Sequence, residues 1–167
     1  MTSAPTSARV WRAEPDEAET VAALIVEFRN FLGEGWPSDN AMLAAVERLI
    51  ERRDCDYLLG SVHDDAPPGG VCQLRYRGSV WSAADDCCLE DLFVRDDARR
   101  RGLGGALVVA ALARARTRGC RRIELEVNES NPAAVALYES FGFSNRPARF
   151  DGRDLLMRRR IDEPESG

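Results

Sequence analysis

The sequence predicts one α/β domain built on a mixed sheet. The length of 167 residues is that of a single ordinary domain with room for a core. Two helical patterns are followed by a run of alternating strand patterns, and a strand, a helix and a strand come after them. Antiparallel pairing is therefore expected first and parallel pairing later. The expected boundaries are a disordered N-terminus at residues 1–8, a single domain at residues 9–161 and a C-terminal tail at residues 162–167.

A short strand and two helices are predicted at the start of the domain. Residues 9–13 alternate as a half-buried strand does. Pro15 and the acidic residues after it are typical of a helix start, and Gly33 is typical of a helix end. Between them, apolar residues recur at helical spacing. A second helix follows, with Ser38 or Asp39 as its N-cap.

Strands and helices alternate over the rest of the chain. Dense turn residues at 64–70 join two strand patterns into a hairpin, and a second turn at residues 82–86 leads to a third strand. Glycines end both of the later helices. The predicted strands are residues 57–62, 71–81, 87–95 and 122–127, with two last strands near Phe143 and at residues 155–161, and the predicted helices are residues 102–118 and 132–140.

One of these strands has apolar residues that are out of phase. Leu89, Leu92 and Val94 cannot all lie on one face of a regular strand, because the step from 89 to 92 is odd. One extra residue, a β-bulge near Glu90 and Asp91, restores the phase and frees backbone polar groups for an extended, amide-containing ligand. The alternative is that Leu89 faces the other layer of a sheet covered on both sides.

The amino-acid composition excludes several classes of enzyme as candidate functions. All 23 basic residues are arginines, which excludes lysine general bases, Schiff-base chemistry and the lysine of a P-loop. His63 is the one histidine, and beside Asp64 and Asp65 it is expected to be a solvated loop residue rather than a catalytic one. A two-histidine zinc site is therefore excluded, and no metal is predicted.

The number and spacing of the cysteines and the length of the apolar runs indicate the cellular compartment. The five cysteines are odd in number and lack C-x-x-C spacing, so reduced thiols in a cytosolic protein are expected. No apolar run reaches the roughly 18 to 20 residues that a membrane span needs, and the first residues lack the apolar region of a signal peptide. The expected location is the cytoplasm. The cysteines are Cys55, Cys72, Cys87, Cys88 and Cys120.

A glycine-rich turn precedes the third predicted helix. It reads Arg-Arg-Arg-Gly-Leu-Gly-Gly over residues 99–105 and lies in a basic stretch, residues 95–122, with nine arginines against two acids. Unshielded amides at a helix start, together with the positive end of the helix dipole, predict a cradle for pyrophosphate. Close backbone packing is the alternative for the glycines, and a solvated helix face is the alternative for the arginines. The spacing fits neither the dinucleotide fingerprint nor a P-loop.

The last predicted helix carries a further candidate for chemistry. Asn131 is its expected N-cap and Pro132 its first residue. Tyr138, on the same helix, is either a core aromatic residue or, where its hydroxyl faces a cleft, a proton donor.

These features together resemble the GNAT superfamily of acyl-CoA-dependent N-acetyltransferases. Arg99-x-x-Gly102-x-Gly104 matches the Q/R-x-x-G-x-G/A motif of that family, and residues 131–143 match its N-x-x-A-x-x-L-Y-x-x-x-G-F segment. The resemblance covers residues 89–143 closely. It implies a GNAT-like fold over residues 9–161, with a central, mostly antiparallel mixed sheet of six to seven strands, four helices and a bulged central strand.

The resemblance implies acetyl-CoA as the cosubstrate and no metal. The pantetheine arm would lie along the bulged strand, and the phosphates would meet amides and arginines of the glycine-rich turn. An asparagine would steady the cofactor. The implied cofactor-binding residues are Leu92, Phe93, Val94, Arg99, Arg100, Arg101, Gly102, Leu103, Gly104, Gly105, Asn131 and Tyr138.

The implied catalytic residues are Tyr138, which would protonate the departing thiolate, and Glu90, which would deprotonate the acceptor amine. The strand Leu-Glu-Asp-Leu-Phe-Val is most similar to the polyamine (spermidine/spermine) acetyltransferase branch, where a glutamate in this place is followed by an aspartate, here Asp91. The alternative for both carboxylates is a solvated or bulge-stabilising role. The amide of Leu92 is the implied oxyanion donor.

The acceptor in such a fold would be bordered by residues 33–38 and 145–154. Glu34 and Trp36 can bind a cation through charge and a π face, and Asp151 can add a carboxylate. A packing anchor is the alternative for Trp36. The acidic first part of the chain favours a small cationic amine, polyamine-like or aminoglycoside-like, and a peptide or protein N-terminus is the alternative acceptor.

Two other classes of function compete with this interpretation. A catalytically idle CoA-binding module would need only the phosphate cradle. A nucleic-acid-binding module is disfavoured by the net charge of −5 and by the position of three arginines at a helix start. Homodimerisation, which is common in the family, is left open by these residues.

Overall fold

The computed structural model of the protein describes residues 7–146 and 151–162, and these residues form five strands and four α-helices. Two single turns of 3₁₀ helix, Pro15–Glu17 and Asp96–Ala98, precede the first and third helices. The strands are β1 (Arg9–Arg12), β2 (Cys55–Ser61), β3 (Gly70–Ser79), β4 (Ala84–Val94) and β5 (Arg122–Leu125), and the helices are α1 (Ala18–Phe31), α2 (Asp39–Ile50), α3 (Leu103–Thr117) and α4 (Pro132–Ser140).

The helix ends follow the capping signals of the sequence. Ser38 caps α2, because its side-chain oxygen accepts a hydrogen bond from the amide of Ala41 at 3.3 Å. Asn131 caps α4 in the same way, and Pro132 follows it at the first helical position. Gly33 ends the first helix region with a positive φ of 78°, a backbone conformation that glycine adopts at little cost.

The sheet has the strand order β1-β2-β3-β4-β5. The first four strands pair antiparallel, and β5 pairs parallel to β4. The change from antiparallel to parallel pairing confirms the mixed sheet that the sequence predicts. The helix α3 supplies the crossover between β4 and β5, as a parallel pair requires.

Two buried clusters cover the two faces of the sheet. Residues of α1 and α2 pack with one face, where Val21, Leu59 and Phe93 are buried. Residues of α3 pack with the other face, where Leu74 and Leu107 are fully buried. The sheet is therefore the middle layer of a three-layer domain.

The bulge predicted in the central strand is present. Gln73 of β3 faces Asp91 of β4, whereas the next residue, Leu74, faces Leu89. Glu90 is thus the extra residue. Because of this insertion, Leu89 packs in the same cluster as Leu92 and Val94. The alternative, in which Leu89 faces the other layer, is wrong.

The expected sheet of six to seven strands is wrong for the described residues, which form five strands. Phe143 packs its ring edge-on against Tyr138, at 5.8 Å between centroids, and is not in a strand. Residues 155–161 are exposed and irregular. Three consecutive apolar residues followed by three arginines give this segment no alternation, so it presents no single apolar face to a sheet. Residues 1–6, 147–150 and 163–167 of the predicted terminal and acceptor-bordering segments lie outside the described residues.

The five cysteines are free thiols, as expected. Burial raises the pKa of the Cys87 thiol to about 12, so it stays protonated at neutral pH. Within the described residues, no group of three or more histidine, cysteine or acidic side chains is arranged to hold a metal ion. No helix in the same residues has the length and apolar character to cross a membrane.

Candidate active site

A cavity of about 640 Å³ runs along β4. Its walls are the end of α1, the bulged strand, the start of α3, the segment after β5 and one side of α4. Most of the site residues expected from the sequence come together here. Those that line it are Glu90, Asp91, Leu92, Phe93, Val94, Arg99, Arg100, Gly102, Leu103, Gly104, Gly105, Asn131 and Tyr138.

Four expected site residues do not line the cavity: Arg101, Glu34, Trp36 and Asp151. Arg101 is exposed beside it, in the same turn as Arg100. Trp36 is 81% exposed, which excludes the alternative that it is a packing anchor of the described fold. Asp151 is exposed in the described C-terminal segment.

One end of the cavity is formed by backbone donors at the start of α3. The first helical hydrogen bond runs from the amide of Ala106 to the carbonyl of Gly102 at 3.0 Å. The described part of the chain provides no acceptor for the amides of Leu103, Gly104 and Gly105, and Gly102 contributes no side-chain cap. Free amides at the positive end of a helix dipole suit an anionic group such as a phosphate.

The turn before these amides has an unusual backbone. Arg100 and Gly102 both have positive φ angles, 60° and 78°. Glycine adopts such a conformation readily, but arginine does so at a cost, and residues in this state concentrate at functional sites. Both residues line the cavity.

Arg99 lines the cavity but already has protein partners. Its Nε donates a hydrogen bond to the carbonyl of Val94 at 2.9 Å. Its guanidinium carbon lies 4.6 Å from the ring centroid of Phe31 and 5.9 Å from that of Phe93. An Nη atom lies 3.7 Å from a carboxylate oxygen of Asp96.

The other end of the cavity holds carboxylates. Glu90 is exposed on the bulge, and Asp91 beside it is half-buried. Burial, and secondly the charge of Glu90, raises the pKa of the Asp91 carboxyl above its ordinary value. Glu126, just after β5, is a third carboxylate of the wall and pairs with the guanidinium of Arg158. The cavity is therefore basic at one end and acidic at the other.

Tyr138 lies in the wall formed by α4 and is 9% exposed. Burial raises the pKa of its phenol to about 12, with smaller contributions from Cys72 and Asp91. The hydroxyl therefore carries its proton at neutral pH. A buried, protonated phenol in a cavity wall can donate a proton to a group that becomes negative there.

Sequence reasoning missed a second group of wall residues. At the end of α1 it missed the apolar residues Phe28 and Phe31 and the C-cap residue Leu32, of which Phe31 is 59% exposed. The signal for Glu126 was available, because Glu124 and Glu126 alternate with Ile123 and Leu125 on a strand adjacent to the bulge. The remaining missed residues are Leu89, Ala98, Val127, Asn128, Ala133, Ala134 and Leu137.

A family model described as the acetyltransferase (GNAT) family matches residues 21–143. The chain belongs to this family. Its members are acyltransferases, and the free amides at one end of the cavity agree with a fold that uses acetyl-CoA. The expected GNAT-like fold is thereby confirmed apart from the number of strands.

Several relatives of this GNAT chain are known. The [ribosomal protein bS18]-alanine N-acetyltransferase of Salmonella typhimurium is 43% identical over 65 residues, 39% of this chain and 44% of the relative. The match thus spans less than half of that relative. The thialysine N-epsilon-acetyltransferase of Caenorhabditis elegans is 29% identical over 136 residues, 78% of this chain and 79% of the relative.

A solved structure resembles almost the whole GNAT chain. The crystal structure of a protein from Arthrobacter sp. FB24, assigned as an acetyltransferase, has a TM-score of 0.83 and 28% identity, covering 96% of this chain and 100% of that one. The aminoglycoside N-acetyltransferase AAC(6')-Iy in complex with CoA has a TM-score of 0.72 at 19% identity, which shows a shared fold.

Proposed function

We propose that the protein is a cytoplasmic N-acetyltransferase that transfers an acetyl group from acetyl-CoA to a primary amine of a small cationic acceptor. The observation that carries the proposal is the two-ended cavity. Unpartnered amides and Arg100 lie at one end, and Glu90, Asp91 and a protonated Tyr138 lie at the other. This arrangement suits an anionic cofactor beside a cationic acceptor.

The residues fit acetyl-CoA at the amide end. The amides of Leu103, Gly104 and Gly105 would hold the pyrophosphate, and Arg100 and Arg101 would pair with its charges. Backbone groups of Leu92, Phe93 and Val94 would hold the pantetheine arm beside the bulge, with Asn131 on the opposite wall. Acetyl-CoA supplies the acetyl group as a thioester.

The acidic end would handle protons. Glu90 takes a proton from the acceptor ammonium, because only the neutral amine has the lone pair that attacks the thioester carbon. The amide of Leu92 donates a hydrogen bond to the carbonyl oxygen as charge develops there. As the carbon–sulfur bond breaks, the hydroxyl of Tyr138 gives its proton to the departing sulfur.

The acceptor would be a small amine with more than one positive charge, in line with the resemblance of residues 89–94 to the polyamine branch. Glu90, Asp91 and Glu126 favour a cation at this end of the cavity. Glu34, Trp36 and Asp151 would act from outside the cavity walls, where long acceptors extend. Similarity to bS18-alanine N-acetyltransferases supports a peptide N-terminus as the second candidate acceptor.

Substitution of single carboxylates tests the assignment of the base. We expect Glu90→Gln to lower kcat/KM by about 10²-fold while CoA affinity stays unchanged. Glu126→Gln is the matched control, because it removes a carboxylate from the same wall, and its loss should stay below about tenfold. A large loss of kcat/KM in Glu126→Gln alone would show that Glu126, and not Glu90, is the general base. If the unmodified protein bound CoA but showed no turnover with any acceptor, the protein would be a non-catalytic CoA-binding module instead.

A further inference from the structure

We propose that Arg99 is a positioning residue that clamps the end of α1 to the end of β4 across the mouth of the cavity. It would support acetyl-CoA binding through this geometry rather than by pairing with a phosphate. The inference rests on the proposed placement of acetyl-CoA along β4. It assigns Arg99 a different role from its two neighbours in the same turn, Arg100 and Arg101.

The contacts of Arg99 use the directional parts of its guanidinium. The Nε–H is bonded to the carbonyl of Val94 at 2.9 Å, and the flat face lies 4.6 Å from the ring centroid of Phe31. Asp96 is 3.7 Å from an Nη atom and partly balances the charge. An arginine held by a carbonyl, a ring and a carboxylate is oriented within the protein before any ligand binds.

Through its contact with Phe31 and its bond to Val94, Arg99 links the end of α1 to the end of β4. These two parts of the cavity wall belong to different elements. Phe28 stacks on Phe93 at 5.3 Å between centroids, and Phe31 lies at 6.1 Å from Phe93. Phe31 is 59% exposed and is the last residue of α1, so Arg99 lies over a ring that the core buries only in part. Arg99 thereby fixes the position of α1 just before the loop at residues 33–38.

The neighbouring arginines are better suited to phosphate. In the described part of the chain, neither Arg100 nor Arg101 has a salt bridge or a ring contact, and both are exposed. Their charges are available to an anion at no loss of a protein contact. On Arg99, in contrast, the Nε–H, the flat face and one Nη atom already have protein partners.

Charge-conserving substitutions separate the two roles. Lysine keeps the charge of Arg99 but lacks the Nε–H and the flat face. We expect Arg99→Lys and Arg99→Gln to weaken CoA binding equally, by about fivefold, with the salt dependence unchanged. Arg100→Gln should bind more weakly with a smaller salt dependence, whereas Arg100→Lys, which keeps the charge, should keep the salt dependence and lose less affinity than Arg100→Gln. Calorimetric titration with CoA at two salt concentrations measures all four.

If Arg99→Lys retained normal affinity while Arg99→Gln lost affinity and salt dependence, Arg99 would be a phosphate ligand and the proposal would be overturned. A double-mutant cycle with Phe31→Leu gives a second test, because a clamp requires the two effects to be non-additive. Additive effects would contradict it.

Hydrogen exchange in the ligand-free protein tests the clamp independently of the cofactor. The amides of Leu32, Gly33 and Glu34 bond back to the last turns of α1. We expect them to exchange several-fold faster in Arg99→Lys and Phe31→Leu, with the amides of α3 unchanged as the control for correct folding. Unchanged exchange at these three amides would overturn the clamp. Absence of CoA binding in the unmodified protein would instead overturn the proposed function.

Discussion

The phenol of Tyr138 remains protonated across the neutral range, because burial raises its pKa to about 12. We expect Tyr138→Phe to lower kcat by about 10²-fold, since the variant keeps the ring and loses the proton that the departing sulfur needs. CoA affinity should stay within about twofold. Thiol-release kinetics and calorimetric titration measure the two quantities.

The pH dependence gives the control for this residue. A general acid acts while it is protonated, so the unmodified enzyme should show no loss of kcat from Tyr138 between pH 7 and about 10. A full rate in Tyr138→Phe would contradict the acid role. So would an alkaline loss of kcat near pH 8 that disappears in the variant.

Among single residues, those fixed by local pattern were predictable and those fixed by tertiary contacts were not. The odd step from Leu89 to Leu92 located the bulge at Glu90, because alternation of side chains is a property of the strand itself. The stack of Arg99 on Phe31 depends on how α1 packs against β4. No sequence spacing records that packing.

At the scale of elements, Asp86 joins β4 to β5. Asp86 is 2% exposed, and its carboxylate accepts hydrogen bonds from Arg122 at 2.6 Å and from Ser82 at 3.0 Å. Burial opposes the charged form, but the bonds from Arg122 and Ser82 outweigh it and lower the pKa of Asp86. The parallel strand that precedes Glu126 is therefore anchored by a buried charge.

Asp86→Asn should lower the free energy of unfolding at pH 7 by about 1 to 3 kcal/mol, because the variant weakens charge-assisted bonds in a buried place. A lowered native pKa stabilises the fold above the unfolded value of about 3.9, and this stabilisation is lost as the pH falls through the native pKa. Urea unfolding at several pH values measures the effect. The difference between the two proteins should shrink below about pH 4, and Asp85→Asn is the control at a less buried neighbour.

The start of α3 offers a matched pair of glycines. A Cβ on Gly104 would lie 3.5 Å from Leu137 and 3.9 Å from Val94, two residues that line the cavity. A Cβ on Gly105 would lie 3.5 Å from the ring of Phe141, outside the lining. All three distances are ordinary van der Waals contacts, so an alanine side chain fits at either position and favours the helix.

We expect Gly104→Ala to weaken CoA binding by roughly tenfold, about 1.4 kcal/mol, because its methyl group narrows the gap between α3 and α4. Gly105→Ala should bind CoA normally, and both variants should keep or raise the Tm. Thermal melts and CoA titrations compare the pair. Equal affinity in both variants would place the cofactor elsewhere.

The helices were predicted well because their boundaries depend on local sequence features. Periodic apolar residues, N-caps such as Ser38 and Asn131, and terminal glycines locate all four helices, because these features are local. The strand expected at residues 155–161 has no alternation of apolar and polar residues to support it. In the described structure this segment is exposed and pairs with no strand.

At the scale of the whole molecule, charge is separated along one cavity. A chain with a net charge of −5 places Arg100 and free amides at one end and three carboxylates at the other. The absence of lysine excludes several enzyme classes, and the groups that line the cavity are amides, an arginine pair, carboxylates and a phenol. We therefore expect the acidic end to prefer a cationic acceptor amine.

Thiol release from acetyl-CoA with a panel of acceptors tests this claim most directly. The panel holds polyamines, aminoglycosides, amino acids and peptides with free N-termini, and the product is identified by mass. Small polycationic amines should give saturable turnover, with KM rising as salt screens the carboxylates. Turnover confined to peptide N-termini, with none for polycationic amines, would contradict the account.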